Sequence, residues 1–276
     1  MKTYLKLKEI FNEASLTSDI AGILHWDMAT MMPSSSRDQR SEQLAYLSKL
    51  SHSKISSSEV GDLIEDSKNL NLNNSDQKNL NEMDREYKLA SAIPTELVEK
   101  ISKSSAKCEG VWQEAREKSD FNLVKKDLEE LINLTKEEAN ILGETFKVSP
   151  YEALINKFEP SSEENKISGV FDDLQKFLTP LIDIIIDKQK KEETLQFEKS
   201  IDEEKQKNIS EYIMKQIGFD FTRGRLDKSV HPFCGGSTND VRITTRYNNE
   251  NPFSSLDGVM HETGHALYEL NLPKDW

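Results

Sequence analysis

Apolar residues recur three or four positions apart along most of the first 217 residues, and that spacing predicts helices. One helix is expected over 3–15, with Leu5, Ile10 and Phe11 on a single stripe. A second is expected over 18–25, where Ile20, Ile23 and Leu24 are apolar, and Pro33 ends the segment after it. Leu44, Leu47 and Leu50 mark a helix over 36–51. A polar break over 70–75 precedes a helix over 76–92. Pro94 occupies the first-turn position that helices favour for proline, with Glu96 close behind. That helix is expected to run to about 119 and to bury Leu97, Ile101, Cys108, Val111 and Trp112. Further helices are predicted over 121–142, over the short stretch opened by Ser149-Pro150 and closed at Phe158-Glu159-Pro160, and over 161–190 and 202–217. There is no internal repeat, and the Lys/Glu-rich stretch over 188–205 reads as a solvated face.

The pattern changes after Gly218. Five of the chain's 11 glycines fall between Gly218 and Gly258. Val241, Ile243, Thr245 and Tyr247 alternate with Arg242, Thr244 and Arg246, the two-residue period of a half-exposed strand, and 225–233 is the expected partner strand. The run Ser254-Ser255-Leu256-Asp257 resembles a capping box and starts a last helix, which Asn271 and Pro273 stop. The fold class is therefore mainly α, with many helices and a small β-sheet beside the final helix. The expected boundaries are helical 1–217, β region 218–253 and helix 254–271.

Composition and charge narrow the function classes. Lys and Arg total 36 against 49 Asp and Glu, a net charge of −13. Nucleic acid and anionic membrane surfaces repel such a chain, so neither is expected as a partner. Cys108 and Cys234 are the only cysteines and read as free thiols of a reducing compartment. Residues 1–13 are charged throughout, without the apolar run of a signal peptide. The apolar run over 181–186 is broken by Asp183 and is too short to span a bilayer. A soluble, cytoplasmic protein is expected.

The last helix carries the chemistry. His261-Glu262-Thr263-Gly264-His265 places two imidazoles one turn apart on one helix face, within reach of a single metal ion. Glu262 is offset from His261 by about 100°, beside the metal without ligating it. Nitrogen ligands and an open coordination position favour zinc, one ion, with Glu262 as general base for a metal-activated water. Ala266, Leu267 and Leu270 are core-type residues, so this helix is expected to be buried. Glu269 lies about 12 Å along the axis from His261 and cannot join both histidines on one ion, which leaves it a supporting role. Asp275, beyond Pro273, is a remote alternative ligand, as is Cys234.

These residues sit within a wider resemblance. His261 to Glu269 resembles the zinc motif of the carboxypeptidase Taq family of metallocarboxypeptidases. His231-Pro232-Phe233 is similar to its His-Pro-Phe signature, and Asp240-Val241-Arg242-Ile243-Thr244 to its Asp-x-Arg-x-Thr signature. His25-Trp26-Asp27, Ile93-Pro94, Trp112 to Arg116 and Tyr151 to Leu154 follow in family order. The resemblance implies a multi-helix, zincin-like metallopeptidase with a deep groove and a zinc ion at its floor. It implies release of C-terminal residues from peptides with a free C-terminus, and it allows a homodimer. His261 and His265 would ligate zinc, Glu262 would act as base, and His231 and Arg242 would line the substrate site.

The family's third ligand is a glutamate on a later helix, in a His-Glu-Ser/Gly pattern. Trp276 comes 11 residues after His265, before any such pattern. The expectation is that 1–276 is the N-terminal portion of a single metallocarboxypeptidase domain, inactive alone, with its third zinc ligand a glutamate beyond residue 276. Two rivals are carried forward: another zinc peptidase sharing only the short motif, an aminopeptidase or endopeptidase, and a non-catalytic helical scaffold. Asp240 and Arg242, two apart on one strand face, could simply pair with each other. Trp26 and Asp27 read as packing and capping residues, and Trp112 as core.

Overall fold

A computed structural model describes residues 1–192 and 200–273. The charged stretch over 188–205 falls partly outside the described residues, and Asp275 wholly so. In chain order the helices are α1 (Lys2–Thr30), α2 (Arg37–Ile55), α3 (Ser58–Lys68), α4 (Asn74–Ala92), α5 (Thr95–Glu117), α6 (Asn122–Phe146), α7 (Pro150–Phe158), α8 (Glu164–Gln189) and α9 (Glu203–Gln216). Three strands follow, β1 (Gly224–Lys228), β2 (Phe233–Ser237) and β3 (Asp240–Thr245), and then α10 (Pro252–Leu270). The mainly helical class with a small sheet is as expected.

The chain divides into two units. The first comprises Met1–Leu134 and Ser200–Trp276. In it α1, α3 and α4 share a core of Tyr4, Leu7, Val60, Ile64, Leu80 and Met83. Tyr4 is fully buried, yet its hydroxyl is satisfied: it donates to Asp76 Oδ1 at 3.0 Å and accepts from Asn79 at 3.1 Å. The other end of α1 packs on α2 and α5 through Met28, Leu44 and Ala106. The second unit, Thr135–Lys199, holds the end of α6 with α7 and α8. Ser149 caps α7 by accepting the Glu152 N–H at 3.0 Å, and Lys157 pairs with Glu138 at 2.7 Å. None of the residues of α8 is buried.

Two expectations about helices are corrected. Residues 3–15 and 18–25 form one continuous α1, and the hydroxyls between the two stretches bond back to the helix's own carbonyls: Thr17 to Glu13 at 2.8 Å and Ser18 to Ala14 at 3.2 Å. The stripe is also shifted. Leu5 and Ile20 are exposed, while Tyr4, Leu7 and Ala14 are buried.

The sheet also departs from expectation. Residues 225–233 are not one partner strand. β1 pairs with β3 in parallel and β2 pairs with it antiparallel, in the order β1-β3-β2. Pro232, which has no N–H to give a ladder, lies between the two strands. One face of the sheet is apolar: Leu226, Val241 and Ile243 pack with Met214 of α9 and Val259, Ala266 and Leu270 of α10. The half-exposed reading of β3 holds only in part, since Thr244, on the other face, is also fully buried.

The turn between β2 and β3 depends on Gly236. Its φ is +91°, and a Cβ there would lie 2.0 Å from the Asp240 carbonyl oxygen. Gly236→Ala is therefore expected to destabilise the protein by about 2 kcal/mol or more, through positive-φ strain plus a displaced strand. The denaturant midpoint checks this. A midpoint equal to wild type would show that the turn relaxes freely.

Candidate active site

The helix that carries the histidines starts earlier than expected. The Asn251 side chain caps α10, accepting the Ser254 N–H at 3.3 Å, and Pro252 occupies the first turn. Ser255 is not part of a cap. It is buried, donates to Gln206 Oε1 at 2.8 Å and accepts the Asn248 N–H at 3.1 Å, which docks the start of α10 onto α9. At the far end, Arg223 donates to the carbonyls of Leu270 at 3.0 Å and Thr238 at 2.9 Å, tying the C-terminus of α10 to the β2–β3 turn. Both ends of α10 are thus fixed to the sheet region.

On α10 the buried row is Val259, Glu262, Thr263, Ala266 and Leu270. His261 and His265 lie on the other side and are exposed. The expectation of a wholly buried helix is corrected: only one face is buried, and the imidazoles carry no burial cost. Their Nε2 atoms are 3.2 Å apart, with the rings edge to face at 79°. Two ligands of a tetrahedral zinc ion with bonds of about 2.05 Å would have their nitrogens about 3.3 Å apart. The separation of the pair is close to that spacing. Among the described residues no group of three or more His, Cys, Asp or Glu side chains is arranged to hold a metal.

A cleft of about 490 Å³ opens between β2 and α10. Glu262, His265 and Glu269 line one wall, and His231 and Cys234 belong to the other. Four residues singled out from the sequence thus share one space with His265. Glu262 combines burial with a place on the cleft wall. Burial pushes the Cys234 thiol up to about 11, with the charges of Glu262 and Glu269 adding to the effect, so at neutral pH it remains a thiol.

His231 is placed by a buried hydroxyl that sequence reasoning did not assign. Thr244 Oγ1 accepts the Phe233 N–H at 3.1 Å and lies 3.3 Å from the His231 carbonyl oxygen. Ser229 Oγ lies 2.6 Å from that same oxygen and 2.8 Å from Thr244 Oγ1. The polar groups of the turn before β2 are thereby satisfied within the protein. The pairing of a Thr in the Asp-x-Arg-x-Thr stretch with a His-Pro-Phe turn was the available signal.

Arg242 lies elsewhere. It pairs bidentately with Asp240 at 2.6 and 2.7 Å, and its guanidinium stands 4.3 Å from the Trp26 ring centroid. Arg225, its register partner on β1, stands 4.9 Å from the same ring. The structure places Arg242 on the sheet face toward α1 and not among the residues lining the cleft. Asp27 does not cap a helix through its side chain; it pairs with Arg40 at 2.6 Å.

The sequence profile of the carboxypeptidase Taq (M32) metallopeptidases matches residues 6–276. The chain belongs to the carboxypeptidase Taq (M32) metallopeptidase family. It is 31% identical to carboxypeptidase 1 of Bacillus subtilis, over 99% of this chain and 55% of that protein. It is 35% identical to thermostable carboxypeptidase 1 of Pyrococcus furiosus, over 90% of this chain and 50% of that protein. Among solved structures, metallocarboxypeptidase 1 of Trypanosoma cruzi superposes with a TM-score of 0.86 at 36% identity, covering 99% of this chain and 56% of that one. The chain spans about half the length of the curated relatives it matches. Family membership implies a metal cofactor. Among the described residues, no helix is long and apolar enough to cross a membrane.

Thr244→Val keeps the shape and removes the hydroxyl. It leaves the Phe233 N–H without its partner, and a loss of about 1–3 kcal/mol is expected. Chemical unfolding measures it. Unchanged stability would mean that the turn before β2 finds other partners.

Proposed function

We infer that this chain carries the zinc-binding and proton-transfer residues of a metallocarboxypeptidase that releases C-terminal residues from peptides. The observation that supports the reading most is the pair of Nε2 atoms of His261 and His265 at 3.2 Å, with Glu262 in the adjoining cleft. When bound, zinc supplies a Lewis acid for the scissile carbonyl and lowers the pKa of water. His261 and His265 hold the ion through Nε2. Glu262 takes the proton from the attacking water and passes it to the departing amine nitrogen. Its burial on α10 keeps the carboxylate oriented through both transfers. His231, on the opposite wall, contacts the substrate. Arg242 takes no direct part here: its guanidinium is held by Asp240 and Trp26, so it acts through the position of β3. The third zinc ligand is a glutamate supplied from outside the described residues.

Three outcomes follow. In a form of the protein that turns over peptides, Glu262→Gln keeps zinc but lowers kcat by about 10²–10⁴-fold, since an amide cannot accept the proton. Zinc content and single-turnover rates check this, and near-normal turnover would remove Glu262 from the role of base.

The direction of cleavage separates the reading from other zinc peptidases. An N-acetylated peptide with a free C-terminus should be shortened one residue at a time, and its C-terminal amide should resist. Equal cleavage of the amide would favour an endopeptidase, and a requirement for a free amino terminus an aminopeptidase.

The third outcome follows from ligand count. A catalytic zinc site uses three protein ligands plus water, and two converge among the described residues. The 276-residue chain by itself should therefore retain less than one zinc per chain after dialysis and show no peptidase activity. One tightly held zinc with turnover would place the third ligand within this chain or a second copy of it. A chain that binds no zinc in any context would favour the scaffold reading.

A further inference from the structure

A second cavity, of about 330 Å³, lies among the last turn of α1, the middle of α5 and the turn before β2. We propose that it is a binding site for a cationic side chain, a guanidinium or ammonium group on an aliphatic stem, of a bound peptide. That the cation arrives on a peptide rests on the peptidase reading; the cation site itself rests on the cavity.

The two ends of the cavity differ in chemistry. Glu109 supplies the charge. Its Oε2 lies 3.1 Å from His25 Nε2, and its Oε1 has no protein partner among the described residues. The carboxylate is 29% exposed, so a charge brought to it is screened less than one on open surface. Gln113 adds an amide oxygen, and Trp112 adds aromatic surface that attracts cations. Ala29, Val230 and Phe233 make the remainder apolar, which suits the methylene stem of lysine or arginine. No lysine or arginine lines the cavity; His25 pairs with Glu109, and the Arg116 guanidinium stands 5.4 Å from the Trp112 ring centroid.

The position connects it to the first site. His231 and Phe233 line both this cavity and the cleft that holds Glu262 and His265. One short turn, pinned by Thr244, is the wall between them. A peptide lying against His231 therefore has a place for a basic side chain directly behind that wall.

The test uses agmatine, a guanidinium and an ammonium joined by a four-carbon stem, titrated into the 276-residue chain by calorimetry with EDTA present. Glu109→Gln keeps the side-chain shape and should weaken binding about 10-fold. His25→Gln removes the group that competes for the carboxylate and should tighten binding at pH 6. The opposite signs exclude a general loss of folding, and His25→Gln decides the matter if Glu109→Gln fails to fold. Equal affinity of agmatine for wild type and Glu109→Gln, or weakening in His25→Gln, overturns the cation site. The second arm compares N-acetylated peptides that differ only in arginine against norleucine. An arginine advantage that disappears in Glu109→Gln supports the peptide assignment, and no advantage overturns it. Agmatine binding that depends on Glu109, in a form of the protein that holds one zinc per chain yet never trims peptides, would sink the peptidase reading and leave the cation site intact. Trimming without agmatine binding would do the reverse.

Discussion

A three-stranded sheet cannot stand alone in water, and the active-site region is arranged around covering this one. Val241, Ile243 and Leu226 on one face are buried against α9 and α10. The other face carries Arg225 and Arg242, and α1 meets it with Trp26. The two coverings differ in kind. The apolar face is held by burial of contiguous side chains, at roughly 25 cal/mol per Å². The arginine face is held by cations stacked on an aromatic ring, each worth about 0.5–2 kcal/mol, with Asp227 and Asp240 balancing the charges. The helix bearing His261 and His265 sits on the apolar covering. Its ends are tied down separately, by Ser255 to Gln206 and by Arg223 to the Leu270 carbonyl.

That arrangement accounts for what could be read from the sequence. The relation of His261, Glu262 and His265 was legible because helix geometry alone fixes it, whatever surrounds the helix. Most helices were legible for the same reason. The small sheet was harder. Alternation in 240–247 showed that Arg242 and Ile243 point to opposite faces, but not which face meets the cleft. The cleft is lined by the whole of β2, the edge strand, and by α10, while the Arg242 guanidinium is held by Asp240 and the Trp26 ring. His231 was legible through resemblance only, and its support was not, because Thr244 reaches the turn across the sheet from 13 residues away. The cavity at Glu109 was not legible at all. It is assembled from positions near 29, 110 and 230, and no local pattern marks such a meeting.

Local chemistry misled in two places, each for a stated reason. The apolar positions of 3–15 and 18–25 suggested two helices, but the Thr17 and Ser18 hydroxyls between them bond to the carbonyl four residues back and the helix is continuous. Ser254 and Ser255 suggested a cap, but Asn251 before Pro252 is the cap, and Ser255 serves inside the protein. In both cases the hydroxyl had more than one stable use, and tertiary surroundings chose between them.

The division of α10 into a buried and an open side has a chemical consequence. On the proposed reading Glu262 is the general base, and it lies on the buried side. On the same reading His261 and His265 hold the ion, and they lie on the exposed side. Because 3.6 residues make a turn, adjacent positions 261 and 262 fall on different sides while 261 and 265 fall on the same one. The open side has room to spare: a Cβ at Gly264, between the histidines, would meet nothing within 4 Å. Helix geometry alone thus sets the relative placement of the base and the two ligands that the proposed reading assigns.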